Sequence, residues 1–454
     1  MDHDKPAGSA SGTPRASFAE LLRTFGKIGL LGFGGPAGQI ALMHRILVDE
    51  KKWIGEGRFL HALNFCMLLP GPEAQQLATY IGWMLHRTRG AVAAGLLFIL
   101  PGFCVIVGLS AAYMLFQQSA WLDTVFFGLK AAVLAIVIEA LLRVARRALK
   151  TRLMLAVAAM AFLALFLFGA PFPLVIAAAG LGGFLVARVR PDLLAAPAGH
   201  GVPESSRAID ALPPVHPTWR RALGMITVWG GIWASLPLLL IALFGWDSVY
   251  PPIALFFSKM AVVTFGGAYA VLSYVAQEAV GAYGWLKPGE MLDGLALAET
   301  TPGPLILVLT FVGFIAGFRD AAGLDPLTGG LLGALLATWV TFAPCFLWIL
   351  LGAPHVERLL GNRTLALALG TVTAAVVGVI LNLALWFGLH VVFTSHRLVS
   401  LGPLSLELPV PSSLDPAALL LAGVAAIALL RFRWSVLRVL AGCAMAGVAL
   451  RHLA

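Results

Sequence analysis

One stretch of this chain occurs twice, and it is interrupted at the same places in both copies. Phe25, Lys27, Phe33-Gly34-Gly35, Trp53 and Pro70-Gly71-Pro72 recur as Phe257, Lys259, Phe265-Gly266-Gly267, Trp285 and Pro302-Gly303-Pro304, at a constant offset of 232. Aligning 25–72 on 257–304 without a gap leaves 13 identities in 48 positions, most of them Gly, Pro, aromatic or Lys. Apolar composition alone does not produce that set. A duplicated apolar unit with helices broken at matched positions implies a binding site where the repeats meet, the arrangement of a transporter.

The surroundings of the repeat set the solvent. Only 12% of residues are charged, 59% are hydrophobic, and the mean hydropathy is +0.90. A soluble chain would carry about twice that charge. The runs 91–122, 153–187, 222–246, 327–356 and 364–396 contain no Asp, Glu, Lys or Arg. Each is long enough to cross a hydrocarbon core of about 30 Å as a helix rising about 1.5 Å per residue. The expectation is therefore an all-α polytopic membrane protein; a β-barrel would show short alternating segments. The net charge of +9 does not suggest nucleic acid, because the bases sit in short loops between apolar runs. Cys66, Cys104, Cys345 and Cys443 lie in apolar runs without a CxxC, which reads as small buried hydrophobes rather than redox or metal chemistry. No histidine pair has ligand spacing, so neither metal nor cofactor is expected.

Helices are expected at 18–47, 59–85, 91–117, 122–144, 152–168, 172–188, 222–245, 252–279, 290–317, 327–352, 363–391, 415–430 and 434–450. That gives about 13 crossings, grouped as six, one and six. Residues 1–17 read as a disordered cytoplasmic tail, 18–190 as the N-terminal repeat, 191–245 as a polar linker plus connecting helix, and 246–454 as the C-terminal repeat. Basic loops at 86–89, 143–152, 188–221, 357–363 and 431–433 alternate with loops near 118–121, 169–173 and 246–251 that carry no base. Positive-inside bias then places the N-terminus in the cytoplasm. The loop 45–58, with four bases and three acids, falls on the wrong side of this scheme. The single connecting helix separates the copies by an odd number of crossings, so inverted-topology repeats are expected.

In lipid, irregular backbone is tolerated only where protein buries it or water lines it. Phe33-Gly34-Gly35-Pro36, Leu69-Pro70-Gly71-Pro72 and their copies each create a half-helix N-terminus with free N–H groups and positive dipole character, suited to an anion. Lys27 and Lys259 each precede the first Gly of their FGG by seven residues, close to two turns, so ammonium and break share a face. The competing reading is that both lysines snorkel to an interface. Gln75 and Gln76 follow the first PGP; Thr300 and Thr301 precede the second, and amides and hydroxyls can donate to oxyanion oxygens. Glu73 and Glu299 are candidates for proton coupling, or equally for a structural salt bridge to a lysine. Asn64, His61 and Asn382 read as helix–helix hydrogen-bonding groups. Lys130 and Glu139, nine residues apart on one helix, lie on opposite faces and do not pair with each other.

At these residues a resemblance emerges. FGKIGLLGFGGPAGQIALMH, LLPGPEAQQLATYIGW, FGGAYAVLSYV and LAETTPGPLILVLTFVGF resemble the chromate ion transporter family in its long, two-domain bacterial form, over nearly the whole chain. The resemblance implies a multi-pass inner-membrane protein that exports chromate and confers chromate resistance, with sulfate as a chemically similar oxyanion. It places family motifs on Gly34, Gly35, Pro36, Pro70, Gly71, Pro72, Gly266, Gly267, Pro302, Gly303 and Pro304. Ala268 stands where the first copy has Pro36, so the two half-sites need not contribute equally.

These readings combine into a secondary active exporter, not an enzyme, with chromate or sulfate as substrate, the lipid bilayer around it, and a homodimer among the assemblies it allows. GxxxxGK[ST] does not occur, so ATP is not the direct energy source within this chain. The alternatives are a sulfate or other oxyanion carrier, a passive anion channel, and an intramembrane enzyme, for which no GxSxG, HExxH or paired-Asp motif is present.

Overall fold

A computed structural model describes residues 16–194 and 218–453, except 118, 266, 288, 357, 358, 360, 402 and 403. Residues 1–15 of the expected tail, most of the polar linker and Gly266 therefore lie outside the described residues. Ser17, counted with the tail, instead starts the first helix. Its hydroxyl accepts the Glu20 amide at 3.2 Å, and the Glu20 carboxylate accepts the Ser17 amide at 2.9 Å, a reciprocal capping box.

The first repeat is built from α1 (Phe18–Leu31), α2 (Gly35–His44), α3 (Glu56–Cys66), α4 (Glu73–Phe116), α5 (Ala120–Ala148), α6 (Arg152–Phe168) and α7 (Phe172–Val189). After α8 (Trp219–Phe244) the second repeat follows as α9 (Tyr250–Val263), α10 (Ala268–Gln277), α11 (Glu290–Thr300), α12 (Val308–Arg319), α13 (Pro326–Gly352), α14 (Arg363–Val392), α15 (Pro416–Leu430) and α16 (Val436–Leu453). Adding 232 to the bounds of α1 reproduces those of α9. Both α2 and α10 run on into a π-helical turn, Arg45–Glu50 and Glu278–Ala282. Six helices among the described residues are long and apolar enough to cross a membrane, and four shorter apolar helices accompany them. The chain is a multi-pass helical membrane protein.

Each broken segment folds back on itself. Lys259, before the second FGG, donates to the Tyr274 hydroxyl after it at 3.2 Å, and Phe256 lies against Tyr283 with ring centroids 5.3 Å apart. Glu290 at the start of α11 pairs at 2.7 Å with Arg319 at the end of α12, so both ends of that segment share one side. In the first repeat Phe65 on α3 meets Tyr80 on α4 (5.0 Å), and His44 at the end of α2 meets Phe59 near the start of α3 (5.1 Å). His86, past the end of the second broken segment, donates to the carbonyl of Ala16, before the start of the first, at 2.8 Å. The four broken segments 18–50, 56–85, 250–282 and 290–319 are thus helical hairpins with half-length arms. The expectation of about 13 crossings counted each as one traverse; in the structure the arms of each run back alongside one another. Hydropathy does not distinguish the two, because both need the same apolar length.

The helix α4 is itself bent. His86 (φ −137°) and Arg87 (φ +52°) leave helical geometry and separate 73–85 from 88–116. Glycines let the two segments cross closely: Gly82 and Gly90 meet backbone to backbone, as do Gly313 and Gly333, and Gly317 and Gly329, at the α12–α13 crossing. The hairpins of the first repeat open at the Arg87 end of 88–116. At its other end, Gln117 donates to Glu290 at the mouth of a second-repeat hairpin, at 2.7 Å. The mouths of the two pairs of hairpins thus lie near opposite ends of 88–116, which is roughly 43 Å long at about 1.5 Å per residue.

The rest of each repeat clamps the other. Helices α6 and α7 pack on α14, while α15 and α16 pack on α5. Gly183 of α7 seats Thr371 of α14, and Gly447 of α16 seats Gly128 of α5. The Thr371 hydroxyl also donates to the Ala179 carbonyl at 3.0 Å. The connecting α8 is peripheral, held by Trp233 Nε1 to Ser258 (3.2 Å) and Trp339 Nε1 to the Ile232 carbonyl (2.7 Å). Residues 392–414, between the expected helices 363–391 and 415–430, contain an antiparallel hairpin of β1 (His396–Leu401) and β2 (Leu404–Pro409), with His396 opposite Pro409.

Candidate functional site

The four hairpin tips meet in the middle of the molecule. Gly71 N–H donates to the Thr264 carbonyl at 2.8 Å, and Gly303 N–H donates to the Gly32 carbonyl at 2.9 Å. Gly303 is Gly71 plus 232, and Thr264 is Gly32 plus 232, so the same hydrogen bond is made twice with the repeats exchanged. Both glycines are needed. Gly71 has φ +122° and Gly303 φ +103°, a region disfavoured for L side chains. A Cβ at Gly71 would lie 2.8 Å from Gln76 Nε2 and 2.9 Å from Cys345 Sγ.

Proline shapes these turns by removing amide donors and ending the preceding helix. Pro70 and Pro72 flank Gly71, Pro302 and Pro304 flank Gly303, and Pro72 caps the start of α4. At the first tip Gly34 (φ +84°) caps α2, with Gly35 at φ +67° and Pro36 in the first turn. At the equivalent tip Gly267 (φ +104°) caps α10. The returning arms α2, α4, α10 and α12 all begin at tips, so four helix N-termini converge on the centre while α1 and α9 present carbonyls already used by Gly303 and Gly71.

Three glutamines surround the tips, each fully buried. Gln39 Nε2 donates to the Gly32 carbonyl at 3.2 Å and to the Gly303 carbonyl, bridging the repeats. Gln75 Nε2 donates to Thr79 Oγ1 (2.9 Å), and Gln76 Nε2 to the Pro70 carbonyl (2.6 Å). The amide oxygens of all three have no partner among the described residues. Buried acceptors left this way require water, and each Nε2 is already committed to a protein acceptor rather than to a guest. Glu299, 3% exposed, accepts from the Tyr269 hydroxyl at 2.6 Å rather than pairing with a lysine. Glu73 is half-buried at the N-terminus of α4. Thr300 and Thr301 both donate to the Leu297 carbonyl, at 2.8 and 2.7 Å, so their hydroxyl protons finish α11.

Lys27 and Lys259 take equivalent places on exposed faces of α1 and α9, five residues before Gly32 and Thr264. Exposed Arg23 and Leu30 flank Lys27 as Leu255 and Val262 flank Lys259. The tips therefore bring together Gly34, Gly35, Pro36, Pro70, Gly71, Pro72, Gln75, Gly267, Thr301, Pro302, Gly303 and Pro304, with the lysines one to two turns away. Sequence reasoning missed Gln39 and Tyr269. The first was legible as the one long polar side chain in the turn after FGGPAG; the second had no signal, because its role depends on Glu299 thirty residues on. Asn382 is buried with an unpartnered amide nitrogen, whereas Asn64 is exposed. The four cysteines are free thiols, of which only Cys104 is exposed.

Residues 19–184 and 252–448 match the family model for the chromate transporter, one match per repeat. The chain belongs to the chromate transporter family. It is 33% identical over 369 residues to the chromate transport protein of Pseudomonas aeruginosa, covering 81% of this chain and 80% of that one. The chromate transport protein of Cupriavidus metallidurans is 30% identical over 378 residues (82% and 83%). The probable chromate transport protein of Synechococcus elongatus is 29% identical over 368 residues (81% and 84%). No solved structure matches the chain. The break between the two family matches falls across α8 and the linker before it, and the tips sit inside both.

Proposed function

We propose that the protein is a secondary active transporter that exports chromate from the cytoplasm across the bacterial inner membrane. The observation that carries this reading is the exchanged pair of hydrogen bonds, Gly71 to Thr264 and Gly303 to Gly32, at the junction of opposed hairpins. A substrate seated there touches tips from both sides. Rocking the repeats against each other would open the hairpins on one side while those on the other still close the path, which is alternating access. Four helix N-termini give the junction positive character, and a tetrahedral dianion brings four acceptor oxygens and no donors. Glu73 and Glu299, one beside each PGP, are the groups we assign to proton coupling.

Sidedness follows from counting four crossings after the hairpins of each repeat plus α8, nine in all. The loops 86–89, 143–152, 188–221, 357–363 and 431–433 then share one face, and 45–58 joins them instead of dissenting. That face is cytoplasmic by positive-inside bias, with the N-terminus on it. Five crossings, 88–116 through α8, separate the two pairs of hairpins, so the repeats remain inverted although the total differs from thirteen. The test is accumulation of labelled chromate by everted vesicles, with sulfate as competitor and a protonophore in parallel. Protonophore-sensitive accumulation against a gradient supports the reading; uptake that only equilibrates would make the protein a channel, and equal competition by sulfate a general oxyanion carrier.

A further inference from the structure

One large cavity among the described residues is lined by charge. Two large cavities, between α6, α7 and α14 and between α4, α8 and α13, are lined almost wholly by apolar side chains. The third, about 560 Å³, lies between the C-terminal end of α5 and the α15–α16 connection. Arg143, Arg146, Arg147, Arg433, Glu139 and Trp434 line it. Glu139 is the one acid in the wall, and it is engaged by Arg143, whose Nε donates to it at 3.0 Å. Three guanidinium groups are left over. Arg433 sits in the left-handed turn of the α15–α16 connection, at φ +55°, with its side chain exposed toward the cavity.

Two features tie the cavity to the tips. The Arg143–Glu139 pair lies within electrostatic reach of Glu299, and Arg147 of Glu73, the two carboxyls beside the PGP turns. Its walls also come from both repeats, α5 from the first and the α15–α16 connection from the second, so any relative motion of the repeats reshapes it. We propose that this arginine-lined cavity is the cytoplasmic vestibule in which a hydrated oxyanion is collected before it passes to the hairpin tips. This rests on the export reading above and deepens it. The volume is right for collection rather than tight binding: at about 30 Å³ per liquid water, an oxyanion enters with its hydration shell. Guanidinium groups bind oxyanions through paired N–H donors and hold their own water weakly, so they attract such a guest at little desolvation cost. A cleft lined with one sign of charge raises the local concentration of the opposite ion.

The full chain, reconstituted in phosphatidylcholine vesicles with and without phosphatidylglycerol, supplies the test. In the Arg146→Gln/Arg147→Gln/Arg433→Gln variant the chromate concentration for half-maximal transport should rise ~10-fold, the lower end of such field effects, with maximal rate within about twofold. Raising ionic strength should weaken the wild type and leave the variant nearly unmoved. Lys at all three positions should restore the wild-type concentration dependence. Unchanged half-saturation in the Gln variant overturns the vestibule. So does an effect seen only with phosphatidylglycerol, which would make the cavity a lipid-headgroup site. A second readout separates this from failure of the export reading: chromate should quench the fluorescence that Trp434→Phe removes, in wild type but not in the Gln variant. Quenching without any transport would sink export and keep the oxyanion cavity; transport without that quenching would sink the cavity.

Discussion

At Gly71 and Gly303 two demands fall on one residue, a backbone angle that L side chains avoid and an amide that must reach the opposite repeat. Placing Ala there costs about 1–3 kcal/mol in conformation alone, before the new Cβ meets Gln76 and Cys345 at Gly71. We expect Gly71→Ala and Gly303→Ala each to cut chromate uptake at least ~10-fold, since that strain alone is worth about a factor of ten in an equilibrium. Gly57→Ala, at an exposed position with open space around it, should leave uptake unchanged. Equal uptake in all three, at matched membrane levels, would remove the tips from the mechanism. The lysines are a separate test. Lys27→Ala and Lys259→Ala should each abolish chromate resistance with normal membrane expression if their ammonium groups face the anion path. Lysines that merely anchor α1 and α9 at an interface would leave resistance intact. The tip residues were legible in the sequence because Gly and Pro constrain the backbone wherever they stand. Gln39 showed only as an isolated long polar side chain, and Tyr269 not at all, because the role of each comes from what lies opposite.

Among the elements, α11 is fixed by charges that the sequence revealed only singly. Asp293 pairs with Lys130 at 3.1 Å and accepts from the Tyr113 hydroxyl at 3.0 Å. Glu290, with a side chain 5% exposed, holds Arg319, Gln117 and the Lys287 amide. Lys130 was visible as an intramembrane charge without a partner on its own helix. Its partner lies in the other repeat, a pairing that helical periodicity cannot encode. This network joins the two repeats where the second-repeat hairpins enter, away from the arginine cavity. Removing one member of such a pair costs about 3–5 kcal/mol when both are buried, and the 25% exposure of the Arg319 side chain puts it toward the low end. Glu290→Ala should therefore lower the melting temperature of the detergent-purified protein clearly. Glu290→Ala/Arg319→Ala should recover some of that loss, because the uncompensated guanidinium is gone. Additive losses would mean that the two groups are not coupled.

The whole molecule turns on where each hairpin enters. Its all-helical membrane character and its duplication were plain from charge-free runs and the 232-residue offset, but the number of crossings was not. A broken apolar segment of thirty residues has the same hydropathy whether it traverses or returns. A sign against traversal was present as a discrepancy: a loop at 45–58 rich in Arg and Lys on the side assigned to the exterior. Folding 18–50 and 56–85 into hairpins removes it and is compatible with the proposed inversion of the repeats, because an odd number of crossings would still lie between them. The two schemes differ at a few positions that chemistry can reach. In a background with Cys66, Cys104, Cys345 and Cys443 replaced, Lys51→Cys, Thr88→Cys and Asp320→Cys report the loop between the first hairpins, the bend of α4 and the α12–α13 turn. With hairpins, an impermeant thiol reagent added to right-side-out vesicles should label Asp320→Cys and spare the other two; everted vesicles should reverse the pattern. With thirteen traverses, Lys51→Cys would instead label together with Asp320→Cys. Lys51→Cys therefore decides between the schemes, and labelling of it from outside would return the broken helices to through-crossings and dissolve the junction of opposed tips.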